Sequence, residues 1–138
     1  MILDTSFLID LMSGDEDALA AAKRLEESGV PQRIPAMVVY ELHVGVGKTE
    51  MTDTEAEKIQ AVTESRSIES LPAETAKLAG RIDGVLRREG NRVGSHDVII
   101  GTIARRYDEQ VLTGNPSDFE DIPEVSVRTY RDESRPPR

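Results

Sequence analysis

The chain has 138 residues, 26 acidic and 17 basic, a formal charge of −9 and no cysteine. That length suits one domain with a single core, the missing cysteine excludes disulfides and thiolate metal sites, and no apolar run reaches the roughly 18 residues of a membrane span. The first residues offer neither a basic stretch nor a long apolar one, so the expectation is a soluble cytoplasmic domain with no membrane partner.

Met1-Ile2-Leu3 reads as a very short buried strand, and Thr5 or Ser6 is placed to cap a helix over residues 7–12. GDEDALAAAKRLEESG reads as a helix with acids in its first turn, Ala18, Leu19, Ala22 and Leu25 at helical spacing, and Gly29 past its end. A short strand near Ile34 and Pro35 precedes a second amphipathic helix that runs to about Gly47. Thr52 and Glu55 have the spacing of a capping box opening the helix DTEAEKIQAVTESR.

Residues 67–71 alternate like a strand, and Pro72 then fits the first position of the longest helix. Its expected apolar stripe is Ala76, Ala79, Ile82, Val85 and Leu86, with Gly90 as its end. SHDVIIGTIARRY predicts a further helix, residues 110–113 a strand, Gly114-Asn115-Pro116 a turn, and residues 125–128 a last strand. The expected organisation is one domain over residues 1–130 and a disordered tail over 131–138. Short strands alternating with helices predict an α/β fold, three-layer α/β/α around a short central parallel sheet. Ligands in such folds collect beyond the carboxyl ends of the strands. Asp4 follows the first strand and Asn115 and Asp118 the fourth, so the two regions should share one rim.

With 26 acids present, context alone discriminates among them. Asp4 is the only formal charge in residues 1–9, Glu41 the only one in AMVVYELHVGVG, and Asp97 the only one in VGSHDVIIGTIA. An isolated carboxylate in apolar surroundings is costly unless something compensates it, and a divalent cation would compensate all three together. Each also has a purely structural account. Asp4 suits a helix cap, Glu41 an exposed helix face, and Asp97 a first-turn position favoured by the helix dipole. Asp118 stands among Glu120, Asp121 and Glu124, where a turn role is natural. His43 should face away from Glu41, and His96 adjoins Asp97. The negative charge speaks against a nucleic-acid partner. Cation binding by some carboxylates reverses that locally, and a surface adapted to high intracellular salt would make the repulsion short-ranged.

MILDTSFLIDLM, VVYEL, HDVIIGTIA and VLTGNPSDFEDIP, in this order and spacing, resemble the PIN domain, and within it the VapC-type toxins of toxin–antitoxin pairs. The resemblance covers the chain apart from its tail. It implies an endoribonuclease dependent on Mg²⁺ or Mn²⁺, whose metal-binding and catalytic quartet falls on Asp4, Glu41, Asp97 and Asp118. Small polar residues beside the metal fall on Thr5, Ser6, Thr113 and Asn115. A homodimer, a cognate antitoxin protein and an RNA substrate are implied as partners. In the segment after Asp97, where the family often has two adjacent alanines, the chain reads Ile100-Gly101-Thr102. For holding RNA, Arg87, Arg88, Arg92, Arg105 and Arg106 are the densest basic residues, although arginines closing two helices also complement the helix dipoles. A nuclease of RNA maturation and a PIN-like module that binds RNA or protein without cutting are the competing readings.

Overall fold

The computed structural model describes residues 1–131. Five strands and six helices follow in order: β1 (Ile2–Leu3), α1 (Thr5–Met12), α2 (Glu16–Ser28), β2 (Arg33–Pro35), α3 (Ala36–Lys48), α4 (Thr52–Thr63), β3 (Ser67–Glu69), α5 (Ala73–Arg88), α6 (Ser95–Tyr107), β4 (Val111–Thr113) and β5 (Val127–Thr129), with a 3₁₀ turn over Pro116–Asp118. The sheet is parallel throughout, in the order β3-β2-β1-β4-β5.

Such short strands carry the sheet because β1 and β4 are buried on both faces. Ile2, Leu3, Val111, Leu112 and Thr113 are all within 2% of full burial, as the middle of a covered parallel sheet demands. The crossovers from β1 to β2 and from β2 to β3 step one way across the sheet, and the crossover from β3 to β4 steps back past β1. With right-handed connections, α1–α4 therefore cover one face and α5–α6 the other. The reversal of direction lies between β1 and β4, and a crevice opens there beyond their carboxyl ends. The three-layer α/β architecture is the one the sequence predicted.

Local corrections have identifiable causes. Thr52 is already inside α4, where its hydroxyl donates to the Thr49 carbonyl at 3.4 Å; the Thr49 hydroxyl accepts from the Met51 amide, and no side chain caps the helix. The capping-box spacing was met one residue too late. Pro72 caps α5 from outside, at ψ 154°. The buried stripe of α5 is Thr75, Ala79, Ile82 and Leu86, while Val85 is 40% exposed and Ala76 is exposed as well. In α2, Ala21 is buried where Leu19 was expected, and Leu19 is exposed. Gly29 does close α2, in the left-handed conformation at φ 68°.

The last described residues are tied down. Tyr130 is 3% exposed, its ring meets Phe7 edge-on at 5.2 Å, and its hydroxyl donates to Asp10. Arg131, assigned from sequence to the tail, donates to Asp10 and to Asp15. The remainder of that predicted tail, residues 132–138, lies outside the described residues. Among the described residues, no helix is long and apolar enough to cross a membrane.

Candidate active site

Asp4 follows β1 immediately and becomes the cap of α1, its Oδ1 accepting from the Phe7 amide at 3.1 Å. The helix therefore starts at Thr5 and not at Phe7. The same oxygen accepts from the Ser6 hydroxyl at 2.7 Å, and Ser6 Oγ in turn accepts from the Gly114 amide at 3.1 Å. Thr113 ends β4 fully buried, with its hydroxyl 3.5 Å from Ser6 Oγ and accepting from the Asn115 amide at 3.0 Å. The two strand ends on either side of the crevice are thus laced together through hydroxyls. Asp4 is both a cap and a buried acid, and the two accounts of it are compatible.

Glu41 reaches the crevice from α3. Its side chain is 25% exposed, it accepts from the Thr5 hydroxyl at 3.0 Å, and its other oxygen lies 3.6 Å from His96 Nδ1. Asp97 sits in the first turn of α6, beyond the Gly94 cap. Asp118 closes the 3₁₀ turn and is exposed at the mouth, as is Asn115. His43 is exposed on α3, away from the crevice.

The acids feel one another. Burial pushes the Asp97 carboxyl up to about 6, and the charges of Asp118, Glu41 and Asp4 add to the rise. Burial likewise raises Asp4, against hydrogen bonds from Thr113, Ser6 and the Phe7 amide, with Glu41 contributing repulsion. Among the described residues, the only ion-pair partner of the four acids is the His96 ring. Asp118 is the strongest carboxylate neighbour of Asp97, whereas Glu124 is held by Arg105 at 2.5 Å and Asp121 lines a cavity shared with Ile82 and Val85 of α5.

The carboxylates and hydroxyls around the crevice are hard oxygen donors, and among the described residues the His96 imidazole is the one ion-pair partner beside them. Such oxygen donors suit a hard divalent cation. As the side chains stand, no three carboxylates or imidazoles among the described residues are arranged to hold an ion. Glu41 and Asp4 have oxygens engaged by hydroxyls, and mutual repulsion favours separation.

The arginines divide into two groups. α5 and α6 form a hairpin, so the end of α5 and the following loop adjoin the start of α6 and the crevice. Arg87 is committed there to Asp83 and Ser95 at 2.9 and 3.0 Å, while Arg88 and Arg92 are exposed. Arg105 and Arg106 lie two turns along α6 from Asp97, about 12 Å away at the rise of an α-helix, at the opposite end of the sheet. Sequence proximity gave no means of separating these pairs. The Tyr130–Asp10–Arg131 cluster behind Ser6 leaves no local signal in the sequence, because its members lie about 120 residues apart.

A family model described as PIN domain matches residues 1–125. A curated protein named Ribonuclease VapC, from Rickettsia bellii (strain RML369-C), is 27% identical over 132 residues that cover 94% of this chain and 95% of that protein. VapBC2 from Rickettsia felis, bound to a DNA fragment from its promoter, superposes with a TM-score of 0.84 at 19% identity, covering 93% of this chain and 96% of the other. VapBC-5 from Mycobacterium tuberculosis, of the VapBC family of toxin–antitoxin systems, gives 0.62 at 22% identity, with 95% and 97% covered. At these identities the structural likenesses establish the fold alone.

Proposed function

The chain belongs to the PIN domain family, and from that premise we propose that it is an endoribonuclease dependent on Mg²⁺ or Mn²⁺ and the toxin of a toxin–antitoxin pair. The observation that carries this reading is the set of four acids on one rim with no Lys or Arg in ion-pair contact with them among the described residues; burial first, and then the charges of the other three acids, raise Asp97 to about 6. A structural ion-pair network would have lowered it. The names of the similar proteins support the substrate and the pairing: one is a ribonuclease, and the others come from VapBC toxin–antitoxin systems.

In this reading Asp4, Glu41 and Asp97 hold the ion, and Asp118 completes the set from the mouth. When bound, the ion supplies positive charge at the scissile phosphate and makes a nearby water more acidic. The protein's own groups do the orienting. Ser6 and the Phe7 amide fix the Asp4 rotamer, Thr5 fixes Glu41, and Thr113 ties both strand ends. Asn115 is exposed at the mouth, where its amide can donate to a phosphate oxygen. Arg88 and Arg92 are the cations on this side available for flanking phosphates. The partners are RNA, a cognate antitoxin and a second copy of the chain.

The test is incubation of purified protein with structured RNAs, with Mn²⁺ or with chelator, beside Asp4→Asn and Asp97→Asn. Asparagine keeps the cap at position 4, so only the charge is removed. Cleavage should require the metal and fall at least about 100-fold in either variant. Metal-independent cleavage, or full activity in both variants, overturns the mechanism.

A further inference from the structure

The chain has only five Phe and Tyr residues and no Trp. Phe7, Phe119 and Tyr130 are buried, and Tyr107 is committed to Glu69 and to the Arg33 guanidinium 4.4 Å from its ring. Tyr40 is the exception, at 59% exposure. It directly precedes Glu41 on α3, as His96 directly precedes Asp97 on α6. The two rings meet across the helices edge to face, with centroids 5.9 Å apart at 81°. His96 is half exposed, with Nδ1 3.6 Å from Glu41.

A large aromatic left in water forgoes the gain of burial, and this one stands at the mouth of the acidic crevice. The rim is also electrostatically hostile to RNA. Four carboxylates and a formal charge of −9 oppose the phosphate attraction that ordinarily supplies affinity. Stacking of a base on an aromatic ring is uncharged, tolerant of sequence and strengthens binding roughly ten- to a hundredfold per base.

We infer that Tyr40, braced by His96, is a stacking platform for an unpaired nucleobase of RNA next to the scissile phosphate. The inference rests on the nuclease reading above and names the feature of the substrate that this rim recognises: an exposed base in a single-stranded stretch or loop. Such binding should vary weakly with salt, because few phosphates are neutralised.

The probe is a single-stranded oligoribonucleotide of about twelve nucleotides, within the usual length range of such sites, carrying 2-aminopurine at its centre. It is titrated with the full chain bearing Asp97→Asn in the presence of Mn²⁺. Quenching of 2-aminopurine is expected. Tyr40→Ala in the same background should remove the quench and weaken binding about tenfold, Tyr40→Phe should preserve both, and His96→Ala should fall between. Quenching and affinity unchanged in Tyr40→Ala overturn the platform. So does a smaller sedimenting species in Tyr40→Ala with the quench intact, since Tyr40 would then serve a protein contact, together with Val44 on the same helix face. The two readings fail separately. Cleavage by the wild-type chain with no Tyr40-dependent quench refutes only the platform, whereas Tyr40-dependent quenching without any metal-dependent cleavage refutes only the nuclease.

Discussion

Two groups of carboxylates on the same few strands meet different surroundings. Around Arg33, which opens β2, Glu69 accepts from Tyr107, Ser67 and Arg33, and Glu109 accepts from the amino terminus and Arg33. Glu69 titrates below its ordinary value, chiefly through the Tyr107 and Ser67 hydroxyls. Burial pushes Glu109 upward, yet its bonds to the amino terminus and Arg33 outweigh that and hold it low. Beyond the carboxyl ends, Asp4 and Asp97 titrate above their ordinary values because burial meets repulsion and no Arg answers it. Burial is common to both groups. The difference is compensation from within the chain, and it separates acids that stabilise the fold from acids that cost it stability.

The sharpest way to break this contrast is Asp97→Asn, with the largest expected effect. Cleavage should be lost, while the metal-free protein should melt higher at neutral pH. The linkage sign follows from the raised value. Between about 3.8 and about 6 the folded state binds the proton more tightly than the unfolded one, so stability falls as pH rises through that window. Ionised Asp97 therefore costs about 1–2 kcal/mol above pH 6 after discounting for partial exposure. Calorimetry of wild type and variant from pH 4 to 8 measures it. Equal stability across the range would mean that water or rearrangement already relieves the charge. Glu69 and Glu109 carry the opposite sign: their contribution is present above the unfolded value and lost as pH falls through the lowered one.

Much of this contrast is legible in the sequence, for a physical reason. An acid alone in an apolar stretch must be compensated or functional, and the pattern of charge along the chain is enough to single out Asp4, Glu41 and Asp97 on that ground. The same reasoning has no purchase on Asp118, whose neighbours are acids too. Separating them needs three dimensions, in which Arg105 engages Glu124 and Asp121 lines a cavity with residues of α5. The Thr52–Glu55 spacing misled because Thr49 already supplies a hydroxyl one turn earlier. Helical periodicity likewise overstated the stripe on α5, since Val85 satisfies the spacing yet faces outward. Asp10, one turn from Ser6, has its meaning only through Tyr130 and Arg131 at the far end of the chain.

The compensated group is broken by Arg33→Ala, with an effect on stability and little on chemistry. The substitution leaves Glu69 and Glu109 without their shared guanidinium, whose side chain is 26% exposed, and removes its packing over Tyr107. Loss of the shared guanidinium should lower stability measurably, by less than the loss of a partner from a fully buried pair. Denaturant unfolding should show the drop, while the Mn²⁺ concentration for half-maximal cleavage stays where it was. A changed metal requirement would show that the two groups are coupled through the strands.

The smallest effect is expected at Gly101 on α6. Alanine there gains about 1 kcal/mol of helix propensity. The structure adds an opposing cost. A Cβ at Gly101 would stand 3.2 Å from Val125 Cγ2 and 3.3 Å from Ile122 Cδ1, closer than relaxed packing allows. Ile122 is 2% exposed and has little room to retreat, whereas Val125 is only partly buried and can yield. Gly101→Ala should therefore change stability by less than about 1 kcal/mol. Because residues 119–125 lead directly from Asp118 back toward β5, pressure on Ile122 is transmitted toward the exposed acid of the quartet and not toward Arg33. Cleavage should thus fall a few-fold while unfolding barely moves. A loss of stability with cleavage unchanged would place the strain at the compensated group instead.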